Sequence, residues 1–195
     1  MLMKKLVAAG LLLFFALSTC ALAQEGQEQK KTTEKEKAPV HKYVGVSKCA
    51  MCHKSKARGD QYGQWKETAH AQAYANLAGD AAKAAGKKLG VDDPQKSPKC
   101  LKCHVTAYGV DKELLASSFK MEDGVQCEAC HGPGGDYMKL SVMKDKEKAM
   151  AAGLVIPDKE RCVMCHNEES PTFVKFDFEK MFPKIAHPIP KAEEK

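Results

Sequence analysis

The sequence predicts one small domain, spanning residues 41–190, whose interior is filled by something other than aliphatic side chains. Three observations carry that expectation. With residues 1–23 set aside as an export signal, 172 residues remain, and 26 of them, about 15%, are Leu, Ile, Val or Phe. A chain below about 20% in these residues with a high net charge is ordinarily disordered. Second, no apolar run after the signal approaches the roughly 20 residues that a transmembrane helix needs. Third, eight of the nine cysteines fall into four copies of one pattern. A chain with that much repeated chemistry is not a disordered one.

The four copies are Cys49-Ala50-Met51-Cys52-His53, Cys100-Leu101-Lys102-Cys103-His104, Cys127-Glu128-Ala129-Cys130-His131 and Cys162-Val163-Met164-Cys165-His166. C-x-x-C-H is the attachment signal for c-type haem. Residues three apart share a face of a helical turn. Both thiols can then form thioethers to one porphyrin while the adjacent His reaches its iron as the proximal ligand. The expected cofactor is four covalently bound c-type haems, with His53, His104, His131 and His166 on the irons. Two zinc sites of four thiolates each, or redox-active disulfides, would use the same cysteines. Neither needs a His after each second Cys, and only 7 His occur in 195 residues. Haem is therefore the reading of these motifs.

The N-terminus agrees with that chemistry. Lys4 and Lys5 precede the apolar stretch Leu6 to Leu17, and Ala21-Leu22-Ala23 is a small-x-small cleavage site. This is a secretory signal, and it places the mature chain outside the cytoplasm, in a bacterial periplasm. Leu17-Ser18-Thr19-Cys20 offers the alternative of a lipid anchor at Cys20. Residues 24–40 are rich in Gln, Glu, Lys and Thr and read as a flexible polar linker, and residues 191–195 as a polar tail. The mature chain keeps 29 Lys and Arg against 25 Asp and Glu, dispersed rather than gathered on one face. That distribution excludes a nucleic-acid footprint.

Counting histidines limits the iron chemistry. Four of the seven are proximal, which leaves His41, His70 and His187 for four distal positions. At most three irons take two imidazoles, and the fourth takes Met, water or nothing. His70 is expected on a helix over Gln61 to Leu77, ended by Gly79. His187 precedes Pro188 and is expected on a loop after the Phe-rich stretch Phe173 to Phe182. His41 borders the linker. Among the methionines, Met51 and Met164 lie inside the attachment loops. Met138 and Met143 follow the third motif and are the better placed, Met143 being the substitute distal ligand.

The chain resembles the cytochrome c-554 family of tetrahaem cytochromes, over about Tyr43 to Pro190. The residues that carry the resemblance are Tyr43-Val44-Gly45 before Cys49, and Trp65-Lys66-Glu67-Thr68-Ala69-His70-Ala71. The most specific stretch is Gly124-Val125-Gln126 running into Cys127-Glu128-Ala129-Cys130-His131-Gly132-Pro133-Gly134. Arg161-Cys162, His166-Asn167 and the run from Pro171 to His187-Pro188 complete it. The resemblance implies a mostly α fold with long irregular loops, little or no β and a haem-dominated core. It implies three irons with two imidazoles each, distal roles for His70 and His187, and an open iron on His104. That family also carries a distal His between its third and fourth motifs. Between His131 and Cys162 this chain has none, which leaves His41 or Met143 as the substitute.

The expected function is electron transfer between redox proteins: other cytochromes, a quinol- or hydroxylamine-type oxidoreductase, or a terminal reductase. No catalytic residue is expected. The alternatives are a reductase of nitric oxide, nitrite or hydroxylamine at the open iron, and a subunit of an extracellular filament. Trp65, the Tyr residues and the Phe cluster are expected on porphyrin faces rather than on each other. The low aliphatic content predicts that the chain does not fold without haem attachment. Circular dichroism and limited proteolysis of a variant with the eight motif cysteines replaced by Ala test this. An unfolded, rapidly digested chain is expected, and a compact, protease-resistant one contradicts it.

Overall fold

The structure is a computed structural model, and it describes residues 40–187. The export signal with Cys20, the linker except for its last residue, and the tail lie outside the described residues.

Nine short helices follow in order among these residues: α1 Val46–His53, α2 Gln61–Lys66, α3 Asp80–Lys88, α4 Pro98–His104, α5 Cys127–His131, α6 Leu140–Met143, α7 Lys146–Ala151, α8 Lys159–Val163 and α9 Phe178–Met181. Single 3-10 turns and irregular loops connect them. The described residues contain no strand, only an isolated bridge between Tyr43 and Leu115. The fold is thus mostly α with long loops, as expected. The longest helix has nine residues, and isolated helices below about 12–15 residues are marginal in water. Local signals start several of them. Asp60, Asp145, Asp158 and Asp177 accept the backbone N–H three residues on, at the starts of α2, α7, α8 and α9. Pro98 opens α4, where its missing N–H is harmless.

The apolar core is small. Leu77, Leu101 and Val105 form one buried cluster, with Tyr74, Ala82, Cys100 and Tyr108 packed against it. The two largest fully buried side chains are polar: Gln126 and Glu128, each 1% exposed. Both belong to the loop and helix of the third motif. Gln126 accepts from Val46 N at 2.8 Å and donates to Lys120 O at 2.7 Å. Glu128 accepts from Val44 N at 2.8 Å, Gly45 N at 2.7 Å and Gly134 N at 2.6 Å. These bonds tie residues 44–46, at the entrance to α1, onto α5, and α1 packs on α2 and α5.

The helix expected over Gln61 to Leu77 ends at Lys66. His70 sits in a turn, followed by a 3-10 turn at Ala75–Ala78. The reason is tertiary hydrogen bonding. The His70 carbonyl accepts from Val125 N at 3.0 Å, and Trp65 Nε1 donates to Val125 O at 2.8 Å. Thr68 turns both its N–H and its hydroxyl onto Trp65 O, at 2.9 and 2.7 Å. The backbone that would have continued the helix is bonded to the strap before the third motif instead. Helical propensity of a few tenths of a kcal/mol per residue does not outweigh such bonds.

Several aromatic residues lie against each other. Tyr43 meets Phe119 edge-on at 6.4 Å, Tyr62 lies 5.8 Å from Trp65, and Phe178 stacks on Phe182 at 4.9 Å. All three pairs lie within the preferred range for aromatic pairs.

Gly132, which ends α5, takes φ of +75° and lies so close to Gly153 that an added Cβ would stand 2.5 Å from the Gly153 carbonyl. Gly90 has a similar φ of +65° with nothing within 4 Å. Gly132→Ala should therefore destabilise the holoprotein by more than the about 1–3 kcal/mol of backbone strain alone. Gly90→Ala should show the strain only. Thermal unfolding of both variants checks this, and equal losses would contradict the packing account.

Candidate functional site

Each Cys pair is presented by a helical turn. The first motif closes α1 and the second closes α4. The third is the whole of α5. The fourth begins in α8 and continues through Cys165 N and His166 N, both bonded to Cys162 O at 3.2 and 3.0 Å. The two thiols of a motif thus face one side, and the His follows on the same turn.

The motifs are not adjacent in chain order. The Cys49 and Cys127 thiols are neighbours, and their mutual contact is the largest cause that pushes Cys49 up and Cys127 down. Burial, then the charge of neighbouring Cys103, pushes Cys165 up to about 12. Burial, then Cys162, pushes Cys130 up. First touches third, fourth touches second, and third and fourth lie near enough for their thiols to feel each other's charge, so the spatial order is 1-3-4-2. Lys102, inside the second motif, forms an ion pair with Glu169 just beyond the fourth. None of the eight cysteines is disulfide-bonded, and among the described residues no three His, Cys, Asp or Glu side chains converge on a common ion.

The histidines are held by one nitrogen. Nδ1 of His53 bonds Gln61 Oε1 at 3.2 Å, and Nδ1 of His104 bonds Ala73 O at 2.7 Å. Nδ1 of His131 bonds Val155 O at 3.2 Å, and Nδ1 of His187 bonds Ile185 O at 2.8 Å. Each acceptor is a carbonyl, so Nδ1 carries the proton and Nε2 keeps its lone pair. A metal-bound His is ordinarily oriented by such a bond.

Two pairs of imidazoles face each other. His70 and His166 have ring centroids 6.0 Å apart, and so do His131 and His187. Two imidazoles on opposite sides of one metal, at about 2.0 Å each, hold their centroids roughly 6 Å apart. Phe176 stacks on His166 at 4.8 Å. Burial, then the neighbouring His166, pushes His70 down, and burial pushes His166 down. His131 is also pushed down, chiefly by burial, with His187 and His53 adding to it and the Val155 bond opposing it. Each change favours the neutral imidazole, which is the form that binds metal.

His41 forms no such ring pair among the described residues. Its Nδ1 bonds the Asp136 carboxylate at 2.7 Å, and its ring lies against Gly153. His53 and His104 likewise have no imidazole opposite among the described residues. Met143 closes α6 and is half-buried, Met138 is 38% exposed, and Met51 and Met164 point largely into solvent.

Sequence reasoning missed several of these groups. Gln61, Asp136 and Phe176 act across the fold and leave no local pattern. Glu128 and Gln126 stand inside the most specific stretch, yet as letters between cysteines they say nothing of burial.

The family "Cytochrome c554 and c-prime" matches residues 48–132. The chain is 36% identical over 139 residues to cytochrome c-554 of Nitrosomonas europaea, covering 64% of this chain and 57% of that protein. It spans little more than half the length of that relative. No solved structure matches. Among the described residues no helix is long and apolar enough to cross a membrane. Through residues 48–132, the chain is similar to the cytochrome c-554 family.

Proposed function

We propose that the protein is an exported, periplasmic tetrahaem c-type cytochrome that carries electrons between redox proteins. When bound, each haem supplies a one-electron iron couple. The eight motif cysteines hold four such groups, and His53, His104, His131 and His166 are the proximal ligands. The observation that carries the reading is the pair of facing imidazoles at 6.0 Å, His70 with His166 and His131 with His187. Each pair joins a spare His to the His of a C-x-x-C-H motif. We assign His70 as the distal ligand of the fourth motif and His187 as that of the third.

What the chain's own residues do follows from this arrangement. With a haem bound, the two imidazoles of each pair would both hold its iron and leave no place for substrate, which suits a carrier. Carbonyl bonds at Nδ1 hold the His131 and His187 rings, and Phe176 stacks on His166, which favours little movement between oxidation states. The motif order 1-3-4-2 gives a single file rather than a cluster. His41, bonded through Nδ1 to Asp136, or Met143, completes the first motif, and the second is left open. The partners are proteins, met at the surface.

Mass spectrometry and electron paramagnetic resonance of the ferric holoprotein test this. Four attached haems per chain are expected, with one high-spin iron. His70→Met and His187→Met should each remove a different low-spin bis-imidazole signal and leave the other. Fewer than four haems, or loss of the same signal in both variants, would overturn the assignment.

A further inference from the structure

Glu128 is the one acidic side chain that is wholly buried among the described residues. Its carboxylate accepts every hydrogen bond it makes. Oε1 takes Val44 N at 2.8 Å and Gly134 N at 2.6 Å, and Oε2 takes Gly45 N at 2.7 Å and Val44 N at 3.1 Å. Both oxygens acting only as acceptors is the pattern of the ionised group. Among the described residues, the ion pairs include no Lys, Arg or His on Glu128. Its hydrogen bonds come from backbone N–H groups alone.

Its position is as specific as its bonding. Glu128 follows Cys127 directly and lies under residues 44–45, which lead into α1 and Cys49. The carboxylate therefore acts on the first and third attachment sites together.

We propose that Glu128 is a positioning residue whose buried charge lowers the reduction potentials of the haems on the first and third motifs. This rests on the tetrahaem reading above. The sign follows from charge. A ferric centre carries one more positive charge than a ferrous one, so a fixed anion favours the oxidised state. In a poorly screened interior the interaction is far stronger than at the surface. A neutral amide would satisfy fewer of the three N–H groups, since Gln has one acceptor oxygen and an NH2 that faces donors. The site thus selects a carboxylate, and the charge comes with it.

Spectroelectrochemical titration of the holoprotein, with the haem count checked by mass, tests the proposal. Glu128→Gln should move two of the four potentials upward and leave the other two. Glu128→Asp, which keeps the charge, should restore them towards the wild-type values. Gln126→Ala loosens the same strap at Val46 without removing charge, and should leave all four in place. A four-haem Glu128→Gln protein with unchanged potentials overturns the proposal, as does the same shift in Gln126→Ala. If Glu128→Gln does not mature, redox-difference infrared spectroscopy of the wild type with 13C-labelled Glu decides. Carboxylate bands that respond at two of the four steps are expected. A carboxylic-acid band, or no response, overturns it. Fewer than four haems in the wild type would instead count against the tetrahaem reading.

Discussion

The arrangement of this chain depends on the carboxylate of Glu128 and the backbone N–H groups it gathers. Val44, Gly45 and Gly134 all donate to one side chain that is 1% exposed. Hydrogen bonds to a charged group are stronger than neutral ones, and removing the acceptor would leave several buried donors unmet. Gln126 extends the clasp by holding Val46 N. These bonds fix the entrance of α1 against α5 and so bring Cys49 beside Cys127. A second strap works from the other side, where Val125 bonds both Trp65 and His70. The loop before the third motif is thereby the hub: it anchors the first motif through residues 126 and 128, and a spare imidazole through residue 125.

The rest of the structure is consistent with a polypeptide that does not fold around its own apolar side chains. The buried apolar residues are few and mostly small, and the helices are too short to stand alone. What the chain does supply is orientation. Carbonyl groups of Ala73, Val155 and Ile185 each hold an imidazole by Nδ1, and glycines at 124 and 132 let backbones approach where a Cβ would collide. Short helices present thiol pairs, and loops present the opposing rings.

Much of this was legible in the sequence, and the boundary of what was legible has a physical cause. The four motifs could be read because thioether attachment needs a fixed spacing along the chain. The shortage of aliphatic residues could be read because composition has no dependence on folding. The mostly helical character followed from the resemblance. The helix at Gln61 to Leu77 was misplaced because its continuation is cancelled by bonds to residue 125, some sixty positions away. The pairing of His70 with His166 spans 96 positions, and no periodicity encodes it. The burial of Glu128 was hidden for the opposite reason: a Glu in a polar-rich motif looks like a surface residue until its four acceptances are seen.

The central claim is that the first and third motifs are clasped together by Glu128 and that the motifs run in the spatial order 1-3-4-2. Diffraction from crystals of the holoprotein at the iron absorption edge tests it most directly, because it locates the irons without reference to any coordinates. The account predicts four iron positions in that order, one between His70 and His166 and one between His131 and His187. An iron of the first motif that neighbours the second rather than the third, or His70 and His166 on separate irons, would contradict it.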